Sequence, residues 1–249
     1  ETPTPEEAAA PEQVAPAEET PEPAVRVAAI QALGIVGDAS ALSLLLTSSG
    51  GDDAASQAAR RSLELVCDPQ VDEQVTKLLR AETDPWRRAA WVGLIEARRP
   101  LGAVALLLEE AKYDHPEVRS RAMTALANLA GPNDVAAVAT AVLYAEKGAE
   151  RDNAEKAVML VCQQIPDAEK RPAQVIEVIK RSGPAERIGL LPLLGRIGGS
   201  EARREIQAAL DSGDAELYEA GVRAICNWPD ASVAEKLLDL SHMPTYHFP

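Results

Sequence analysis

The sequence predicts an all-α protein, a superhelix of about seven helical hairpins stacked in a row. Three observations carry that reading. Leu33, Leu63, Leu94, Leu126, Val161, Leu194 and Ile225 recur at spacings of 30, 31, 32, 35, 33 and 31 residues, a period typical of helical solenoids. Four residues before each of these anchors stand Ala29, Ala59, Ala90, Ala122, Ala157, Leu190 and Gly221, small in all but one case, which lets neighbouring helices approach closely. Three residues before them stand Ile30, Arg60, Trp91, Met123, Val158, Leu191 and Val222, apolar except for the arginine, so each unit repeats a buried i, i+3, i+4 face.

The elements follow in order. Residues 1–22 hold five prolines and seven glutamates with no basic residue, a composition that cannot bury enough apolar surface to offset ordering entropy, and they read as a disordered acidic linker. Repeats are then expected at about 23–50, 51–82, 83–113, 114–148, 149–182, 183–212 and 213–241, with 242–249 a truncated tail or the start of a further element. The first helix of each pair opens on cap chemistry: Pro23, Asp53, Asp84-Pro85, His115-Pro116, Gly183-Pro184 and Asp214 put Pro or a side-chain acceptor where free N–H groups need one. It closes on Gly37-Asp38, Cys67-Asp68-Pro69, Arg99-Pro100, Gly131-Pro132, Pro166-Asp167, Gly198-Gly199 and Pro229-Asp230. The second helices carry their own stripes, among them Leu42, Leu45 and Leu46, then Val75, Leu78 and Leu79, and finally Leu237 and Leu238. The last helix runs on without a polar closing repeat, and with a first residue that is not Met this leads us to expect a piece of a longer protein.

Composition narrows the function classes. Net charge is -14, and an acidic chain repels phosphate backbones, so nucleic acid is not an expected partner; the pairs Arg87-Arg88 and Arg203-Arg204 are local exceptions. No uninterrupted apolar run approaches the roughly 18 to 20 residues of a membrane-spanning helix. Cys67, Cys162 and Cys226 have no paired spacing, so neither a disulfide framework nor a zinc knuckle is indicated; Cys162 and Cys226 read as small fillers near helix ends.

Residues 23–38, PAVRVAAIQALGIVGD, and 115–132, HPEVRSRAMTALANLAGP, resemble the first helix and turn of bacterial HEAT repeats, including the short type of phycobilin-lyase-like proteins. The resemblance extends over 23–240 and implies a right-handed HEAT/armadillo-like α-α superhelix. In that family an Arg commonly follows the early Val, and Arg26, Arg87, Arg119 and Arg187 hold that place, whereas Ser56, Ala154 and Tyr218 depart from it. One repeat position shared by four arginines points to a structural ladder at the junctions between repeats. The run AICNWPD at 224–230 is similar to closing repeats of HEAT modules in large exported bacterial proteins, which implies export to the cell envelope and fusion to further domains.

No catalytic, cofactor-binding or metal-binding constellation emerges, and none is expected. HEAT-repeat hydroxylases hold iron through His-Glu pairs, and the sequence has no His-Glu dipeptide. HEAT-like DNA glycosylases use aromatic walls beside basic groups, but Trp86 aligns with Val25 and Val118, and Trp91 with Ile30 and Met123, so both are expected in the core. The expected function is a non-enzymatic scaffold that binds a protein or peptide partner along the concave face that the family builds from its second helices. The residues on those helices outside the core stripe are Leu44, Lys77, Thr140 and Tyr144. The alternative is a lyase-like or glycosylase-like enzyme that uses the same groove.

Overall fold

The computed structural model describes residues 23–37, 39–51, 53–66 and 69–242; the acidic linker, residues 38, 52, 67 and 68, and the tail from 243 lie outside them. Among the described residues there are fourteen α-helices and no strand. They come in pairs: α1 (Pro23–Val36) with α2 (Ala39–Ser48), α3 (Ala54–Leu65) with α4 (Pro69–Ala81), α5 (Pro85–Arg98) with α6 (Ala103–Glu110), and α7 (Pro116–Leu129) with α8 (Val135–Ala141). Then follow α9 (Ala149–Gln163) with α10 (Ala173–Arg181), α11 (Pro184–Ile197) with α12 (Ser200–Leu210), and α13 (Ala215–Cys226) with α14 (Ala234–Ser241). Short 3-10 turns lead into α8 and α14 and precede α10, and another follows α8. No described helix is long and apolar enough to cross a membrane.

Two layers result. Each first helix packs on the next first helix, from α1 on α3 through to α11 on α13, while α2 meets α4, and α6, α8, α10 and α12 meet in succession. Every second helix before the last also packs on the first helix of the next hairpin. Contacts between near neighbours build an α-α solenoid of helical hairpins.

The recurring apolar positions explain the core. Leu63, Leu94, Leu126, Val161, Leu194 and Ile225 are all buried, as are Ala59, Ala122, Ala157 and Leu190 four residues before their anchors. Where helices come closest the chain has no side chain to spare. A β-carbon on Gly34 would lie 2.7 Å from Ser62, whose hydroxyl donates to the Ile30 carbonyl at 2.9 Å, so α1 and α3 meet backbone to backbone.

Helix starts follow from side-chain acceptors. The carboxylates of Asp53, Asp84 and Asp214 accept from the N–H groups of Ser56, Arg87 and Leu217 at 2.7, 2.9 and 3.0 Å, and the His115 Nδ1 accepts from Glu117. Pro85, Pro116 and Pro184 occupy first helical turns, where their missing N–H costs nothing.

Two expectations about the core are corrected. Trp91 is buried, but Trp86 is 63% exposed. Its repeat position holds the methyl of Ala55 and the isopropyl of Val118 elsewhere, and an indole exceeds that space; the ring lies edge-on to His115 at 6.0 Å instead. Leu238 is exposed, and of this pair only Leu237 packs against the core.

Candidate partner-docking surface

The surface available to a partner is defined by what the hairpins use internally. The last carbonyls of a helix have no intrahelical donor, and they carry the negative end of the helix dipole. Here arginines from the following first helix donate to carbonyls in the turns just past those helix ends. Arg60 donates to the carbonyls of Ser49 and Gly51 at 2.6 and 2.8 Å. Arg88 donates to Glu82 at 2.7 Å, Arg119 to Tyr113 and Asp114 at 3.0 and 2.8 Å, and Arg151 to Ala145 at 2.7 Å.

Two of these arginines also tie helices together. Arg88 grips the buried Glu110 with two hydrogen bonds of 2.6 and 2.7 Å and lies over the Tyr113 ring at 4.3 Å. Arg119 takes both oxygens of Glu150, at 2.7 and 3.0 Å, and reaches Glu146 at 3.2 Å. The hydrogen bonds that Arg88 donates to Glu110 and Arg119 to Glu150 raise the pKa of the respective guanidinium.

The four arginines of the repeat position therefore do not share one environment. Arg119 is buried at a junction, Arg87 is exposed and pairs with Glu82 and Asp84 of its own loop, and Arg26 and Arg187 are exposed. Arg88, one residue further along, occupies the interior place in the third hairpin. Sequence reasoning missed Arg60, Arg88 and Arg151 because they sit at different distances from the anchor, and a long flexible side chain reaches the same carbonyls from each.

The second-helix layer presents a small-residue stretch in the middle of the chain. Ala105 and Leu108 on α6 and Ala136, Ala137 and Thr140 on α8 are exposed or half-buried, and α6 packs on α8. Thr140 turns its hydroxyl inward, donating to the Ala136 carbonyl at 2.9 Å. Tyr144, just beyond α8, is exposed, and the Lys112 amino group lies 5.7 Å above its ring. Lys112 was not among the residues singled out from sequence, although it stands one repeat before Tyr144. Lys77 is exposed on α4 and Leu44 on α2, so the structure groups Thr140 and Tyr144 and leaves the other two apart.

Groups with shifted titration lie elsewhere among the described residues. Burial raises the Glu155 carboxyl on α9 even though Arg196 donates to it at 2.7 Å, and the nearby negative charge of Asp152 adds to the rise. Burial lowers Arg151 and pushes the Cys162 thiol up to about 12. Hydrogen bonds from Ser56, Ser200 and Ser232 lower the carboxyls of Asp53, Glu169 and Asp230. All of these belong to first helices or turns. Cys162 also borders a cleft of about 310 Å³ with Arg171, Arg196 and Gly199. No group of three or more His, Cys, Asp or Glu side chains among the described residues is placed to hold a metal.

No curated protein matches the chain. The PBS lyase HEAT-like repeat family matches residues 25–48, which span α1 and α2. The repeating hairpins and this match to the first of them fit a HEAT-repeat protein.

Proposed function

We propose that the protein is a non-enzymatic scaffold that holds a protein or peptide partner along its second-helix layer. The observation that carries this reading is the stretch from Ala105 to Tyr144, small and weakly charged at its centre, with the exposed Tyr144 ring and the Lys112 ammonium at one end. A smooth path of small residues accepts an extended segment or a partner helix, and a tyrosine with a cation beside it offers an amphipathic anchor. Lys77 lies apart from this stretch, exposed on α4.

The matched family's name carries the word lyase, and this favours a second reading in which the same layer acts on a small substrate. Repeat architecture says little about activity, and the shifted groups on first helices and in turns lie away from that layer. The test is capture from a lysate of the source organism by the immobilised chain, compared with Tyr144→Ala and Lys77→Glu. Each substitution is expected to weaken capture by about 1 to 2 kcal/mol with the helical circular dichroism unchanged. Capture that both variants retain in full would remove the proposal, and turnover of a small substrate would replace it with the enzyme reading.

A further inference from the structure

The row of hairpins is not equally tight along its length. Gly34 on α1 and Gly195 on α11 stand one residue after their anchors, and each lets its helix press closely on the next first helix. At the same place α3 has Glu64 and α9 has Cys162, and there the packing opens. Glu64 borders a cleft of about 390 Å³ with Gly93 and Ala97 of α5, and Cys162 borders the cleft of about 310 Å³ with Ile197 of α11. Among the described residues α3 on α5 and α9 on α11 touch much less than the other neighbouring first helices do, and α4 makes no substantial contact with α6.

Arginines bridge both of these junctions. Arg98, in the last turn of α5, donates to Asp72 of α4 at 2.5 Å and to the carbonyls of Leu63 and Val66 at the end of α3, the latter at 2.9 Å. Arg196, in the last turn of α11, donates to Glu155 and Asp152 of α9, each at 2.7 Å. A guanidinium on a long flexible stem keeps two helices together without fixing the angle between them. A close-packed contact at a glycine leaves no such slack.

We propose that the solenoid bends at these two junctions, so that α1–α4, α5–α10 and α11–α14 move as three units with Arg98 and Arg196 as the pins. Where each repeat touches only its neighbours, the stiffness of a junction follows from the surface packed across it. The two least packed junctions therefore take up the motion. The middle unit carries the stretch from Ala105 to Tyr144, and bending on either side of it changes how far the outer hairpins reach around that stretch. The motion belongs to the chain alone and does not rest on a partner being held there.

Double electron–electron resonance on the full chain tests this, with spin labels on pairs of introduced cysteines at exposed helix positions and with Cys67→Ser and Cys226→Ser in the background; Cys162 is buried and stays. Gln31→Cys with Thr124→Cys spans the first junction, Thr124→Cys with Arg223→Cys spans the second, and Glu109→Cys with Lys156→Cys stays inside the middle unit. Each spanning pair should give a distance distribution at least about twice as broad as the inner pair. Arg98→Met should broaden the first spanning pair further and Arg196→Met the second, each leaving the remaining pairs and the circular dichroism unchanged. Spanning pairs as narrow as the inner pair would overturn the proposal. So would pins whose removal broadens all three pairs alike, or none of them.

Discussion

Gly195 on α11 lies so close to Ala224 on α13 that a β-carbon on Gly195 would sit 1.9 Å from the Ala224 carbonyl oxygen. The obstacle is backbone, so only a shift of a whole helix relieves it. Gly195→Ala should therefore destabilise the protein by about 3 kcal/mol, at the upper end for overpacking, even though Ala favours helix by about 1 kcal/mol over Gly. Gly93 is the control. A β-carbon there would meet the Arg121 guanidinium at 2.9 Å, a flexible tip that moves aside, so Gly93→Ala should be neutral or stabilising by up to about 1 kcal/mol. Urea unfolding of the two variants separates the cases, and equal effects would contradict the close approach.

Arg119 and Arg87 occupy the same repeat position with different surroundings. Arg119→Met strands Glu150 and the carbonyls of Tyr113 and Asp114 and should cost about 3 to 5 kcal/mol. Arg87→Met removes only exposed pairs and should stay within about 0.5 kcal/mol. Thermal or urea melts of both variants measure the difference, and similar losses would show that Arg119 is not the tie described above.

The two described cysteines should differ in chemistry. Cys162 is buried and its thiol is held up to about 12, so the nucleophilic thiolate is scarce at neutral pH. Cys226 is exposed. Mass spectrometry after a short iodoacetamide pulse at pH 8 should find Cys226 alkylated and Cys162 untouched, with Cys162 reacting only in denaturant. Labelling of Cys162 in the folded protein would mean that α9 opens readily.

Glu155 gives the fold a pH signature. Its folded pKa lies above the usual carboxylate value, so between the two values the folded state binds the extra proton, and stability from this group falls as pH rises through that window. Acidification from pH 7 toward 5 should therefore favour the parent protein over Glu155→Gln, in which the group is absent. The stability difference between the two, measured by urea unfolding at several pH values, should shift toward the parent as pH falls. A shift in the opposite direction would show that Arg196 outweighs burial.

What the sequence made legible was whatever recurs at fixed spacing. Leu126 and its counterparts announce the hairpins because each buried face must be rebuilt in every repeat, and the Asp and Pro caps mark where helices start. Trp86 could not be placed this way, because a column that buries Val118 does not reveal how large a side chain it admits. Leu44 was readable as off the core stripe of α2, and it is exposed like Ala105 and Ala137, which stand at the same distance from their own anchors. The candidate docking residues were half legible: Tyr144 stands out on its helix face, whereas its cation Lys112 emerges only when the preceding repeat is set beside it.

The backward reach of Arg60, Arg88, Arg119 and Arg151 gives the chain a direction in time. A nascent polypeptide that has left the ribosome as far as Gly148 already has Arg119 holding Tyr113 and Asp114, while the Ala145 carbonyl still faces water. Only when Arg151 emerges is that end sealed. At these four junctions each hairpin thus completes the one synthesised before it.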